Sequence, residues 1–136
     1  MTVLPHIVCL IDDDDIYQFT FLKSLAAKSE NRKVITFSDG EEALNFMNEN
    51  LLKPDVLPDI IFLDINMPVM DGWEFLEEFV KIKPHTGKEI TIYMVSSSID
   101  PVDLDRAGKI NEVSKYLIKP INEDDLEEII KGVEKS

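Results

Sequence analysis

The stretch Ile60-Ile61-Phe62-Leu63-Asp64-Ile65-Asn66-Met67-Pro68-Val69-Met70-Asp71-Gly72 (IIFLDINMPVMDG, residues 60–72) runs four large apolar residues into a carboxylate, then into a turn marked by proline and glycine. An apolar run without polar alternation is what a strand covered on both faces looks like, and such strands belong to parallel sheets flanked by helices. In open sheets of that kind the binding crevice lies outside the carboxyl ends of the strands. Asp64 stands at such an end, so the stretch predicts both an α/β fold and a rigidly placed acid.

The rest of the chain supplies the sheet. Apolar runs at His6 to Ile11, Lys33 to Phe37, Ile90 to Val95 and Ser114 to Ile118 join Asp59 to Leu63 as five predicted strands. Amphipathic segments alternate with them: Ala43, Met47 and Leu51 share one helical face, as do Phe75, Phe79 and Ile82, while Leu126, Ile129, Ile130 and Val133 follow the spacing of a helix with one buried face. Helix starts are marked too. Ser38 with Glu41 reads as a capping box, Asp100 before Pro101 as an N-cap with proline in the first turn, and Asn122 as a cap ahead of three acidic residues. Strict alternation of strand and helix implies five βα units, a parallel sheet and helices on both faces. Residues 1–136 are expected to form a single domain, with Asn48 to Pro58 as the end of a helix followed by a surface loop.

Composition narrows the function. A chain of 136 residues with 44% hydrophobic residues can bury one core, and no apolar run approaches the length of a membrane helix. The first residues, MTVLPHIVCLIDDDD, lack a basic leader, and the lone Cys9 lies in an apolar run where packing is its expected role. A cytoplasmic location is expected. The net charge of −13 disfavours nucleic acid and anionic membranes as partners and favours a cation or a basic protein surface. Zinc and Ser-His-Asp chemistry lack support, because His6 and His85 fall at a strand start and in an expected loop and there is one cysteine.

Four predicted strands end on reactive residues: Asp12 and Asp13, Asp64, Ser96, and Lys119 followed by Pro120. Parallel strands bring all of them to one edge. Asp14 and Asp15 are enough to cap and begin the first helix, which leaves Asp12 and Asp13 to face the crevice. Clustered carboxylates repel one another unless a cation holds them, and oxygen donors with room for water suit Mg²⁺ or Mn²⁺. Carboxylate, metal, hydroxyl and ammonium together suit a phosphoryl group. Asp64 is then the expected nucleophile, forming an aspartyl-phosphate; Lys119 and the metal neutralise its charge, and the Ser96 hydroxyl donates to a phosphoryl oxygen.

With LIDDDD, FLDINMPVMDG, VSSS and YLIKP in view, the chain resembles the response-regulator receiver domains of two-component signalling, in the single-domain form typified by the chemotaxis response regulator. The resemblance covers nearly the whole chain and implies a flavodoxin-like fold with strand order 2-1-3-4-5. It implies a metal site made by Asp12, Asp13, Asp64 and the backbone carbonyl of Asn66, a loop shaped by Pro68 and Gly72, and a cis bond before Pro120. Tyr116 matches the family's switch aromatic, coupled to Ser96. Expected partners are a histidine kinase or histidine phosphotransfer protein and a downstream protein, with the domain itself a monomer. It is expected to catalyse its own phosphorylation and dephosphorylation rather than act on another substrate.

Two rivals differ in kind. A haloacid-dehalogenase-like phosphatase also uses an aspartate nucleophile with Mg²⁺, but that family has a second aspartate two residues on, where this chain has Asn66, and takes its metal-binding acids from later in the chain. A receiver-fold scaffold independent of phosphorylation would have no use for the acidic pair, the acceptor and the lysine together.

Overall fold

The computed structural model describes residues 6–26, 32–97 and 99–134. Met1 to Pro5, read above as part of a segment lacking a leader, and Ser98 of the VSSS motif lie outside the described residues. The strands are β1 (His6–Ile11), β2 (Arg32–Phe37), β3 (Ile60–Asp64), β4 (Thr91–Ser96) and β5 (Val113–Ile118). They alternate with α1 (Asp15–Ala26), α2 (Gly40–Glu49), α3 (Gly72–Thr86), α4 (Pro101–Gly108) and α5 (Glu123–Glu134). All four pairings are parallel, in the order β2-β1-β3-β4-β5.

The period of two along the strands sorts their side chains into two cores. Cys9, Ile11, Ile61, Leu63, Ile92 and Met94 pack with Ala43, Met47, Phe75 and Phe79 from α2 and α3. On the other face Val8, Leu10, Ile60, Phe62 and Val95 pack with Phe21 and Leu25 of α1 and with Leu126 and Ile130 of α5. Every residue of β3 is buried, as its unbroken apolar run requires. Burial pushes the Cys9 thiol far above its ordinary range, which fits a packing role.

Several local expectations shift. β3 and β4 each begin and end one residue later than predicted, so Asp64 and Ser96 are the last strand residues rather than the first beyond. The cap of α2 is Asp39, whose carboxylate accepts from Glu42 N–H at 2.9 Å, while Glu42 reaches back to Ser38 N–H at 3.1 Å. The cap is thus one position later than Ser38, and no reciprocal box forms, because Glu42 accepts from the N–H of Ser38 and not from that of the cap. α2 ends at Glu49, leaving Leu51 in the following turn. The segment leading to Pro58 is not wholly superficial, since Leu57 is fully buried. Lys88 Nζ donates to Pro54 O at 2.7 Å and Leu57 O at 2.6 Å and lies 3.2 Å from Asp59, whose other oxygen accepts from Ile7 N–H at 2.8 Å. His85 lies inside α3, which runs through Pro84 and stops at Gly87 in the left-handed region. The caps at Asp100 and Asn122 stand as expected.

Candidate functional site

Parallel register carries the strand ends to one edge: Ile11 pairs with Leu63, Asp64 with Val95, and Ser96 with Ile118. Beyond β1 the chain continues through Asp12, held by its own N–H to Phe37 O at 3.0 Å. Its side chain is buried, one oxygen accepting from Asp14 N–H at 2.9 Å and the other from Lys119 Nζ at 2.6 Å. Asp14 caps α1 by accepting from Ile16 and Tyr17 N–H. That division of labour was expected, and it leaves Asp13 exposed at the mouth.

Asp64 is buried at the end of β3, with one oxygen accepting from Ile65 N–H at 2.9 Å and the other 3.8 Å from Lys119 Nζ. Burial, followed by the nearby Asp12 charge and more weakly Asp13, lifts its pKa from 3.8 to about 6; Lys119 and the Ile65 N–H pull the other way. Asp12, Asp13 and Asp64 each present an oxygen within 4.8 Å of the others. An all-carboxylate cluster with one exposed member fits a hard divalent cation that keeps some of its water. Asn66, whose carbonyl was expected to serve the same site, is exposed two residues past Asp64.

The loop after Asp64 explains its proline and glycine. Met70 N–H donates to Pro68 O at 2.7 Å, and Met70 O receives Gly40 N–H at 3.1 Å, which ties the loop to α2. Val69 between them is left-handed at φ 67°, a costly conformation for a β-branched residue. Gly72 N–H donates to Ile65 O at 2.8 Å, and a Cβ at Gly72 would run into the Asp64 carbonyl oxygen and lie 3.0 Å from Ile65 Cα. Only glycine lets α3 start so close to the strand end. A capping box between Asp71 and Glu74 then begins the helix.

On the other side, Ser96 is buried, and its carbonyl accepts from Lys119 N–H at 2.9 Å. The Lys119–Pro120 bond is cis, as expected. Tyr116 is half-buried against the α2–α3 core and pairs in register with Met94, two residues before Ser96.

Two residues of this edge were missed from the sequence. Gln18 donates from Nε2 to Asp12 O at 2.6 Å and Phe37 O at 3.2 Å, bridging the ends of β1 and β2. The Tyr17 ring lies 4.5 Å from Lys119 Nζ, and burial with the Asp12 and Asp64 charges raises its phenol to about 12. The signal was available: Tyr17, Phe21 and Leu25 at intervals of four form a buried stripe, and Tyr17 is its member closest to the strand ends.

Residues 8–131 match the response regulator receiver domain family. The chain belongs to that family. It is a signalling receiver of the two-component type, similar to chemotaxis protein CheY of Listeria monocytogenes, with 29% identity over 93% of this chain and 95% of that one. The receiver is also similar to a two-component response regulator of Cytophaga hutchinsonii, with 31% identity, a TM-score of 0.82 and coverage of 98% and 100% of the two chains. A probable methanogenesis regulatory protein of Methanothrix harundinacea shares 26% identity over 95% of this chain and 81% of its own length. The receiver spans only 35%, 27% and 7% of three longer relatives. Among the described residues, no helix is long and apolar enough to cross a membrane.

Proposed function

We propose that this receiver accepts a phosphoryl group on Asp64 from a phosphohistidine of a histidine kinase or phosphotransfer protein. An Asp64 oxygen attacks phosphorus, the O–P bond forms as the N–P bond breaks, and the electron pair stays on the imidazole nitrogen. The observation that carries this reading is the convergence of Asp64 with Asp12, Asp13 and Lys119 at one sheet edge. Asp13, Asp64 and the Asn66 carbonyl would hold Mg²⁺ or Mn²⁺, with Asp12 retaining a coordinated water. When bound, the metal supplies charge neutralisation for the transferring phosphoryl oxygens.

The protein's own groups do the rest. Lys119, already 3.8 Å from Asp64, keeps the nucleophile ionised and offers its ammonium to a phosphoryl oxygen. Ser96 donates its hydroxyl to another oxygen, and Tyr116 responds to that movement. Pro68 and Gly72 hold the acceptor loop, and Pro120 holds the Lys119 turn. The same residues give the domain its own phosphorylation and dephosphorylation activity. The output is a downstream protein that binds the altered face; the excess of acids disfavours nucleic acid and membrane as that partner. The domain acts in the cytoplasm as a monomer, with the five strands and five helices as a single unit.

Labelling tests the reading. Acetyl phosphate in Mg²⁺ is expected to phosphorylate the wild type, with the label lost in EDTA and in Asp64→Asn. Label that persists in Asp64→Asn overturns the assignment of the acceptor.

A further inference from the structure

We propose that Tyr17 is a positioning residue for phosphoryl transfer, its ring seating the Lys119 ammonium between Asp12 and Asp64. The proposal rests on the reading of Asp64 as phosphoacceptor. Lys119 extends from the end of β5 on a stem with four rotatable bonds, and Asp12 Oδ2, at 2.6 Å, is the one acceptor its ammonium hydrogen-bonds among the described residues. Asp64 is 3.8 Å away, too far for a hydrogen bond to hold the ammonium over the nucleophile. The Tyr17 ring, 4.5 Å from Nζ at its centroid, supplies the remaining support.

An aromatic face suits this task better than another acid. It attracts a cation through its quadrupole without neutralising it, so the full positive charge remains for an incoming phosphoryl oxygen. A third carboxylate on Lys119 would compete with the phosphoryl group and raise Asp64 further out of its ionised state. The ring is also tied to the nucleophile's own strand. Tyr17 packs on Phe21 with centroids 6.3 Å apart, and Phe21 meets Phe62 edge-on at 5.4 Å, two residues before Asp64 on β3. Ammonium and carboxylate are therefore referenced to one rigid frame.

The experiment compares Tyr17→Leu and Tyr17→Phe in the full chain. The rate constant for phosphorylation by acetyl phosphate in Mg²⁺ is expected to fall about tenfold in Tyr17→Leu and to recover most of that loss in Tyr17→Phe. In proton spectra the Lys119 ε-methylene resonances, shifted by the ring current in the wild type, are expected to keep that shift in Tyr17→Phe and lose it in Tyr17→Leu. In a Lys119→Ala background Tyr17→Leu is expected to add no further loss. A Tyr17→Leu variant that phosphorylates at the wild-type rate overturns the proposal, as does an equal loss with and without Lys119, which marks a purely structural ring. If the wild type takes no label on Asp64, the phosphoacceptor reading fails, whereas the Lys119 resonances still decide whether Tyr17 seats the ammonium.

Discussion

Lys119 Nζ meets Asp12 Oδ2 at 2.6 Å, although the two residues lie 107 positions apart in the chain. One ammonium thus serves an edge with three carboxylates, and the remaining charge is left crowded around Asp64. Carboxylates crowded in this way are destabilising when no cation compensates them.

Neutralising Asp64 is therefore expected to stabilise the metal-free protein. Its folded pKa, raised from 3.8 to about 6 by burial and Asp12, means that the native state binds this proton more tightly than the unfolded chain does. Stability then falls as pH rises through that interval and stays reduced above it. Asp64→Asn is expected to gain about 1–2 kcal/mol at neutral pH, less than the full shift implies because the pocket opens to solvent. Urea denaturation in EDTA measures it; the gain is expected to shrink as pH falls from about 6 to 3.8 and to be gone below that, where Asp64 is protonated in both states. An equal gain at acid and neutral pH contradicts this account.

Asp13 and Asp12 are expected to separate metal affinity from stability. Asp13 is exposed, whereas Asp12 is buried and holds both Lys119 and the Asp14 N–H. Titration calorimetry with Mg²⁺ is expected to give weaker binding for Asp13→Ala than for Asp12→Ala, with little change in melting temperature for Asp13→Ala. Asp12→Ala is expected to lower stability by about 1–3 kcal/mol, the cost of leaving buried partners unpaired. Equal Mg²⁺ affinity in wild type and both variants removes the metal from this site.

Gly72 permits a geometric prediction. A methyl group there would meet the Asp64 backbone, which cannot retreat without moving the Asp64 carboxylate. Gly72→Ala is expected to cost about 2–4 kcal/mol and to slow Asp64 phosphorylation in whatever fraction remains folded. Gly132, inside α5, is the comparison, because a Cβ added there would have nothing within 4 Å of it. Gly132→Ala is expected to be neutral or to gain up to about 1 kcal/mol. Similar losses at both sites, read by denaturant midpoints, remove the steric argument.

Residues at strand ends were legible because period and position place them without side-chain detail: Asp64 follows an apolar run, and parallel pairing does the rest. The α2 cap was not decidable by pattern, since Ser38 with Glu41 and Asp39 with Glu42 each offer a side-chain acceptor and the same acid three residues on. The backbone resolves it in favour of Asp39, extended at φ −156°. Tyr17 and Gln18 escaped notice because their partners lie on other strands, and helical spacing records which face a residue occupies but not what waits there. Lys88 is similar: its long stem reaches three oxygens of the segment before β3 that no local pattern connects to it.

The switch can be tested through Ser96 and Tyr116. Ser96 is buried at the end of β4, and Tyr116 on the adjacent strand is half-buried. A phosphoryl group on Asp64 would add acceptor oxygens at the strand ends, and Ser96 is expected to satisfy one of them by moving its hydroxyl toward it. The space this leaves is expected to draw the Tyr116 ring toward Ser96 and to alter the face made by α4, β5 and α5. A partner preferring that altered face binds the phosphorylated receiver more tightly and, by reciprocity, favours the same state before phosphorylation. Beryllofluoride with Mg²⁺, a phosphoryl mimic, is expected to shift the Tyr116 and α4 resonances of the wild type and to shift them much less in Ser96→Ala. If the wild-type resonances stay in place, or Ser96→Ala responds as fully, Tyr116 packs as an ordinary strand aromatic and the signal leaves the site by another route.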